Sequence, residues 1–309
     1  MNIQTDAVSS FEGNVAVPVV IPASRRYYWS VRREFWENRS LYLAPVAVAA
    51  LFLAAFLIGH NSHAHVHIGL PDNAMRGRHV DAFEQPFTVV ALLLMGTTFF
   101  VAVFYSLEAL HGERRDRSIL FWKSLPVSDT TTVLAKASIP ILFLPLITCV
   151  TVLVTQAIML LLSSAVMLAR GQNVAELWSH LPLWQMSLML FFHMLAIHGL
   201  WYAPFYGWLL LVSAWARRAP FLWAALPPVV IGVIEKIAFN TSHFAALLGF
   251  RFGGNSEDVP FTVGQMSMGA LTMTDVVRFF TDPSLWTGLA LTAVFLAAAI
   301  RLRRYREPI

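Results

Sequence analysis

The sequence predicts an all-α polytopic membrane protein with six transmembrane helices. Six long stretches contain no Asp, Glu, Lys or Arg, although the chain has 309 residues and is 13% charged. Sixteen of the 22 lysine and arginine residues fall in alternate gaps between these stretches. A helix needs about 20 apolar residues to cross the hydrocarbon core of a bilayer. The length of the stretches and the placement of the charges therefore predict the same class.

The predicted spans cover about 41–59, 87–107, 137–169, 181–216, 219–236 and 284–300. The third and fourth are longer than one crossing requires. Each contains proline at a position where a helix can kink, namely Pro140 and Pro145 in the third and Pro204 in the fourth. We therefore expect tilted or kinked single crossings.

The distribution of basic residues predicts the orientation. Lys and Arg concentrate in the cytoplasmic segments of membrane proteins, and here they flank the first and last spans. We expect both termini in the cytoplasm and a multi-pass location in the cell inner (plasma) membrane. The net charge of +4 is explained by anionic lipid headgroups, so no nucleic-acid partner is predicted.

Residues 1–24 are predicted to form a cytoplasmic tail. Pro18 and Pro22 interrupt its only apolar stretch, so a cleaved signal peptide is not expected. Residues 25–40 combine five arginines with aromatic side chains, which is typical of a helix at the membrane interface. An aromatic belt with basic anchors explains the same composition, and both interpretations stay open.

The loop 111–136 carries the functional prediction. A mixed-charge run is followed by bulky apolar side chains, which in a cytoplasmic loop indicate a partner surface. We expect one short helix ended by proline, and a second helix capped by Ser128 or Asp129 that leads into the third span. The candidate residues for this contact are Glu113, Arg114, Arg115, Phe121, Trp122, Leu125 and Pro126.

This loop resembles that of ABC-2 type permeases of ATP-binding-cassette transporters. In that family a Glu-Arg pair after the second span is followed by a Leu-Pro-Val/Ile-Ser/Thr run and a Lys before the third span. The matching residues are Glu113, Arg114, Leu125, Pro126, Val127, Ser128 and Lys136. Arg117 departs from the pattern, since the family usually has a small residue there, often glycine. The plan of six spans with cytoplasmic termini also resembles this type V exporter-like architecture.

The resemblance implies a permease subunit that dimerises, with itself or with a sister subunit, and binds two copies of a separate ATPase subunit. ATP and Mg would be bound by that partner. No cofactor and no enzymatic activity are expected in this chain, which contains no Gly-x-x-x-x-Gly-Lys-Ser/Thr sequence. The segment from Glu113 to Ser128 would act as the lever that transmits ATP-driven closure to the spans.

The outer region 238–283 is predicted to contain short helices that dip partly into the membrane. The resemblance implies an outer gate there, and an ordinary external cap is the alternative. Glu235 and Lys236 end the fifth span and either pair with each other or mark the outer boundary.

Histidines occur in two groups. One group crowds the first outer loop at a spacing that suits Zn or Cu, but only Asp72 could add a carboxylate, so a solvated loop without metal is favoured. Its members are His60, His63, His65 and His67. His193 and His198 lie inside the fourth span and are candidates for the substrate path, or else are hydrogen-bonded within the bundle. On an α-helix they would be about 140° apart, so no shared ligand position is expected. No metal site is predicted, and the single cysteine, Cys149, is interpreted as a residue that packs inside the third span.

An ATP-driven exporter of an amphipathic or hydrophobic substrate is the leading functional hypothesis. The alternative is a stand-alone secondary transporter or an embedded membrane enzyme. A secondary transporter would need a carboxylate in the membrane to bind its coupling ion, and the apolar stretches contain none. A hydrolase is disfavoured because the chain lacks the His-Glu-x-x-His and Gly-x-Ser-x-Gly patterns. Whether the permease pairs as a homodimer or a heterodimer does not follow from the sequence.

Overall fold

The structure, a computed structural model, describes residues 22–61, 85–124, 127–180, 183–253 and 273–305. Within these ranges the chain is helical and contains no β-strand. Several predictions fall on parts of the chain outside the described residues. These are most of the N-terminal tail, the side chains of the four clustered histidines, Asp72, Leu125, Pro126 and residues 254–272.

The described residues form fourteen α-helices and two π-helical segments. The first helices are α1 (Ala23–Glu37), α2 (Ser40–Asn61), α3 (Gln85–Glu108), α4 (His111–Arg115), α5 (Ser118–Ser124) and α6 (Asp129–Ser138). The first π segment, Ile139–Phe143, continues into α7 (Leu144–Ala169), which is followed by α8 (Val174–His180) and α9 (Leu183–His193). The second π segment, Met194–Trp201, leads to α10 (Ala203–Trp215), α11 (Pro220–Phe239), α12 (His243–Gly253), α13 (Met273–Thr281) and α14 (Pro283–Tyr305).

Five helical stretches are long and apolar enough to cross a membrane. They are Ser40–Gly59, Gln85–Arg115, Asp129–Ala169, Pro220–Phe239 and Pro283–Tyr305. A sixth crossing is formed if Trp184–Trp201 and Ala203–Trp215, which are bent by 46°, count as one span. The predicted class of a helical polytopic membrane protein is thereby confirmed.

Proline and π-helical geometry mark the two longest spans. Pro140 lies in the first π segment and Pro145 in the first turn of α7, and the helix continues through both. The bend in the other long span lies beside Pro204, in the first turn of α10. A proline lacks the N–H that an α-helical turn requires, so such positions are where a helix changes its winding or direction.

The bundle is built around α3 and α10. α3 packs against α2, α7 and α10, while α14 runs along α10 and also touches α6. α1 packs on α6. α11 is peripheral, because none of its residues is buried within the chain. The two π segments contact each other inside the bundle, where a Cβ on Gly199 would lie 2.6 Å from the carbonyl oxygen of Ile141.

The connection between α3 and α7 is a compact set of short helices. Residues 111–124 form two helices: α5 is the short helix that was predicted before Pro126, and α4 was not predicted. The break falls at Arg117, whose φ of 56° lies in the left-handed region. The next helix, α6, is capped by Ser128, whose hydroxyl accepts a hydrogen bond from the Thr131 N–H at 3.1 Å.

Candidate functional site

A buried cluster of charged side chains lies where α1, α4, α6 and α14 meet. Its six members, called here the ion cluster, alternate in sign and come from distant parts of the sequence. They are Arg33, Glu34, Glu113, Asp129, Lys136 and Arg303. Buried ionised groups are tolerated only when they are paired and hydrogen-bonded, so the local geometry decides whether this cluster is stable.

Lys136 is the central cation of the cluster. Its side chain is 2% exposed, and its Nζ lies 2.9 Å and 3.0 Å from the two carboxylate oxygens of Glu34. The same Nζ lies 3.1 Å from Oε1 of Glu113. A single ammonium group on α6 therefore holds carboxylates from α1 and α4 together.

Arg33 and Tyr105 complete the environment of Glu34. Nη2 of Arg33 lies 2.8 Å from Oε1 of Glu34 and 3.0 Å from Oε1 of Glu113, and the Tyr105 hydroxyl donates to Oε2 of Glu34 at 2.9 Å. Burial alone would raise the pKa of Glu34, but attraction to Lys136 and Arg33 outweighs it and lowers the pKa below its ordinary value. Glu34 is therefore held as a carboxylate.

Arg303 attaches the last helix to the cluster. It donates from Nη1 to Oε2 of Glu113, and its Nε lies 3.1 Å from Oδ1 of Asp129. Glu113 thus contacts cations from α1, α6 and α14 at once. Three cations face three carboxylates, so these six side chains together are formally neutral. Glu37, which is 42% exposed, lies 3.6 Å from Nε of Arg33 at the edge of the cluster.

Arg114 and His111 fasten α4 to the end of α10. Nη1 of Arg114, which is 5% exposed, donates to the carbonyl oxygens of Ala214 at 2.8 Å and Ala216 at 3.2 Å. The backbone N–H groups of Leu110 and His111 donate to the Ser213 hydroxyl at 3.0 Å and 2.9 Å. A cation at a helix C-terminus satisfies carbonyls that have no partner within the helix.

The short helix α5 presents an apolar surface outward. Ile119 is buried beneath it, whereas Leu120 and Phe121 are 59% and 61% exposed. Trp122 stacks against the Arg33 guanidinium, whose central carbon is 4.1 Å from the ring centroid. The Phe121 ring meets the edge of Trp122 with centroids 4.9 Å apart. The exposed face of α5 is therefore joined to the ion cluster through one aromatic contact.

The predicted coupling residues thus divide into two groups. Glu113 and Arg114 are buried and connect helices, so they are not available to a partner surface. Phe121 is exposed, as is Arg115, which pairs with Glu108 at 2.9 Å and Asp116 at 3.1 Å.

The sequence reasoning missed most of the ion cluster. From the sequence, Arg33 and Arg303 predict only the orientation of the chain, and Asp129 predicts only a possible helix cap. Glu34 was not singled out, yet it is 1% exposed. The one signal available was a carboxylate placed inside an arginine-rich helix, where an acid needs a specific reason to be retained.

The relative position predicted for His193 and His198 was wrong. Their ring centroids are 5.6 Å apart with planes inclined at 50°. The chain is π-helical from Met194 to Trp201, and i to i+5 hydrogen bonding brings residues five apart onto one face. The 140° separation assumed α-helical winding through this segment.

Glu235 has a structural role at the start of α12. Its carboxylate accepts hydrogen bonds from the Thr241 hydroxyl at 2.8 Å and from the backbone N–H groups of His243 at 2.6 Å and Phe244 at 2.8 Å. A carboxylate at a helix N-terminus satisfies free N–H groups and interacts favourably with the helix dipole.

Comparison of the chain with protein-family models, with curated proteins and with solved structures finds no match.

Proposed function

We propose that this chain is the membrane-spanning permease subunit of an ATP-driven exporter of the ABC-2 type. In this proposal the chain has six spans, both termini lie in the cytoplasm of a plasma-membrane protein, and the ion cluster is at the cytoplasmic end. A separate ATPase subunit, present in two copies, binds ATP and Mg. A second permease subunit completes the pore, which exports an amphipathic or hydrophobic substrate.

The observation that carries the proposal is the attachment of α5. This helix exposes Leu120 and Phe121, which have the character of a docking surface. Through Trp122 and Arg33 it contacts the ion cluster, which holds α1, α4, α6 and α14 together. A partner that moved α5 would therefore move the ends of several spans.

The proposed mechanism is a rigid-body transmission. Closure of the ATPase pair displaces α5, and Glu113 transmits the displacement to α6 and α14 because it is bonded to Lys136 and Arg303. The clamp of Arg114 on the end of α10 carries the same displacement to the bent span. The left-handed backbone at Arg117 fits the position where the family often has glycine, a residue suited to that conformation.

The docking step is tested by purifying the tagged chain from its native membranes and assaying the eluate for ATP hydrolysis. We expect an ATP-hydrolysing subunit to co-purify, and the double variant Leu120→Ala, Phe121→Ala to lose it. The control is Phe239→Ala, which removes a more exposed aromatic ring, 74% exposed, from α11. Equal ATPase recovery from both variants would contradict docking on α5.

The transmission step is tested with Glu113→Gln, which removes the charge that Lys136 and Arg303 share. We expect the ATPase to remain bound and active while substrate export falls, because the lever is loosened and the docking surface is kept. Export at the wild-type rate would refute the lever. Transport by the purified chain reconstituted alone would instead support a stand-alone secondary transporter, and catalysis by it would support an embedded enzyme.

A further inference from the structure

Two buried imidazole rings lie close together inside the bent span, with their planes inclined at 50°. His193 ends α9, His198 lies in the second π segment, and their side chains are 1% and 2% exposed. The π-helical winding that brings them together costs hydrogen-bond quality, and such segments occur frequently at functional sites. Neither ring belongs to the ion cluster or to the α5 surface.

Three of the four ring nitrogens of this pair have no hydrogen-bond partner. They are both nitrogens of His193 and Nδ1 of His198. The remaining nitrogen of His198 is occupied, because that ring hydrogen-bonds the backbone of Met95. A buried polar atom left without a partner costs about 1–3 kcal/mol, so an arrangement that leaves three of them requires an explanation.

The rings lie farther apart than a direct hydrogen bond between them would place them. Imidazoles joined by an N–H to N bond of about 2.9 Å would have centroids no more than roughly 5.3 Å apart. The observed separation is 5.6 Å. A metal ion about 2 Å from one nitrogen of each ring would place the centroids up to roughly 6.3 Å apart, and the observed separation corresponds to a bent arrangement with an angle of about 125° at the metal.

We propose that His193 and His198 bind a soft monovalent metal ion of the Cu(I) class. Among the described residues, no group of three or more His, Cys, Asp and Glu side chains is positioned to hold a metal. A divalent ion at the pair would therefore lack both its usual ligand number and neutralising carboxylates, and its burial would be costly. Cu(I) accepts two neutral imidazoles and carries a single charge.

The surroundings supply further donors suited to such an ion. Met95 and Met194 are both 1% exposed and adjoin the pair, because Met194 follows His193 in the chain and the backbone of Met95 is hydrogen-bonded to the His198 ring. Thioether sulfur is a soft ligand that selects Cu(I) over harder ions. The bond from His198 to the backbone of Met95 orients that ring and leaves Nδ1 as its free nitrogen, as outer-shell partners of metal-binding histidines do.

The packing around the pair keeps it in place. Gly199, next to His198, lies directly against the backbone of the first π segment, where a Cβ would come within 2.6 Å of the Ile141 oxygen. His198 also meets the edge of the Tyr202 ring at 5.8 Å. The two imidazoles are thus held by backbone and aromatic contacts, which favours a preformed site.

The test is anaerobic titration of the purified chain with Cu(I) in the presence of a competing chelator. The four histidines of the first outer loop are replaced by glutamine in all samples, so that they cannot contribute. We expect one Cu(I) per chain, with an X-ray absorption spectrum that shows nitrogen scatterers about 2 Å from the metal. His193→Gln and His198→Gln should each weaken binding by more than about 100-fold.

The matched control is His243→Gln, which removes an exposed histidine at the start of α12 and should leave binding unchanged. Size-exclusion chromatography of each variant verifies that it remains folded. No bound copper in the parent chain, or equal affinity in all three variants, would overturn the proposal. Because binding is measured without ATP or a partner, failure here leaves the proposed exporter function standing, and failure of ATPase docking leaves this site standing.

Discussion

Replacing Lys136 by methionine is the most direct test of the ion cluster. The substitution keeps an unbranched side chain one atom shorter and removes the ammonium group that contacts both Glu34 and Glu113. The cluster then carries one excess negative charge among side chains that are almost fully buried. Loss of one partner from a buried ion pair costs about 3–5 kcal/mol.

This loss of folding free energy can be expressed as a fall in melting temperature. One kcal/mol lowers the melting temperature of a chain of 150–250 residues by about 2–4 °C. This chain has 309 residues, so the lower figure applies and Lys136→Met should melt roughly 6–10 °C below the parent. The control is Lys123→Met, which removes an exposed lysine from α5 and should shift the transition by less than about 1–2 °C. Adding Glu34→Gln to Lys136→Met rebalances the charge and should recover part of the loss.

The chain contains its own reporter for this assay. Cys149 is the single cysteine and is buried in α7, so a thiol-reactive fluorescent dye labels it only when the bundle opens. Heating the detergent-solubilised protein with the dye gives the melting temperature directly. If Lys136→Met melts within 2 °C of Lys123→Met, the ion cluster does not hold the helices together.

Three further predictions use the same assay. Gly199→Ala should destabilise the bundle by about 1–3 kcal/mol because its methyl group has no room, while Gly96→Ala in open space should not. Arg117→Gly should stabilise the chain by roughly 1 kcal/mol, since it relieves a left-handed backbone. Burial alone would raise the pKa of Glu34, but its cationic neighbours lower it below 4.5, so its stabilisation is present above that pH and is lost as the pH falls through the lower folded-state value. Glu34→Gln should therefore flatten the decline in melting temperature below about pH 4.5.

A different result would contradict each of these three predictions. Equal melting temperatures for Gly199→Ala and Gly96→Ala would show that the π segments separate without cost. A lower melting temperature for Arg117→Gly would mean that the arginine side chain contributes more than the backbone strain removes. An unchanged acid profile in Glu34→Gln would place the acid-sensitive group elsewhere.

The membrane class and the positions of the spans were predictable because hydrocarbon thickness imposes a length and excludes charge. The stretch 87–107 and the helix Gln85–Glu108 agree closely for this reason. The cap at Ser128 was also predictable, since it depends only on neighbours in sequence.

The ion cluster and the histidine pair were not predictable in the same way. Arg303 and Glu113 are joined across 190 positions of sequence, and no local pattern encodes such a contact. The histidine pair was missed because periodicity arguments assume α-helical winding, whereas the segment after His193 is π-helical. The burial of Glu113 was also not predictable, because the residue lies in a charged run of a kind that is typical of a solvated surface.

The equal number of acids and bases in the ion cluster has a mechanical consequence. Moving the whole cluster keeps every ion pair intact, whereas pulling its members apart leaves buried charge uncompensated. The ion cluster therefore resists separation of its members and moves as a rigid unit. A displacement of one of the four helices that it connects is then passed to the others.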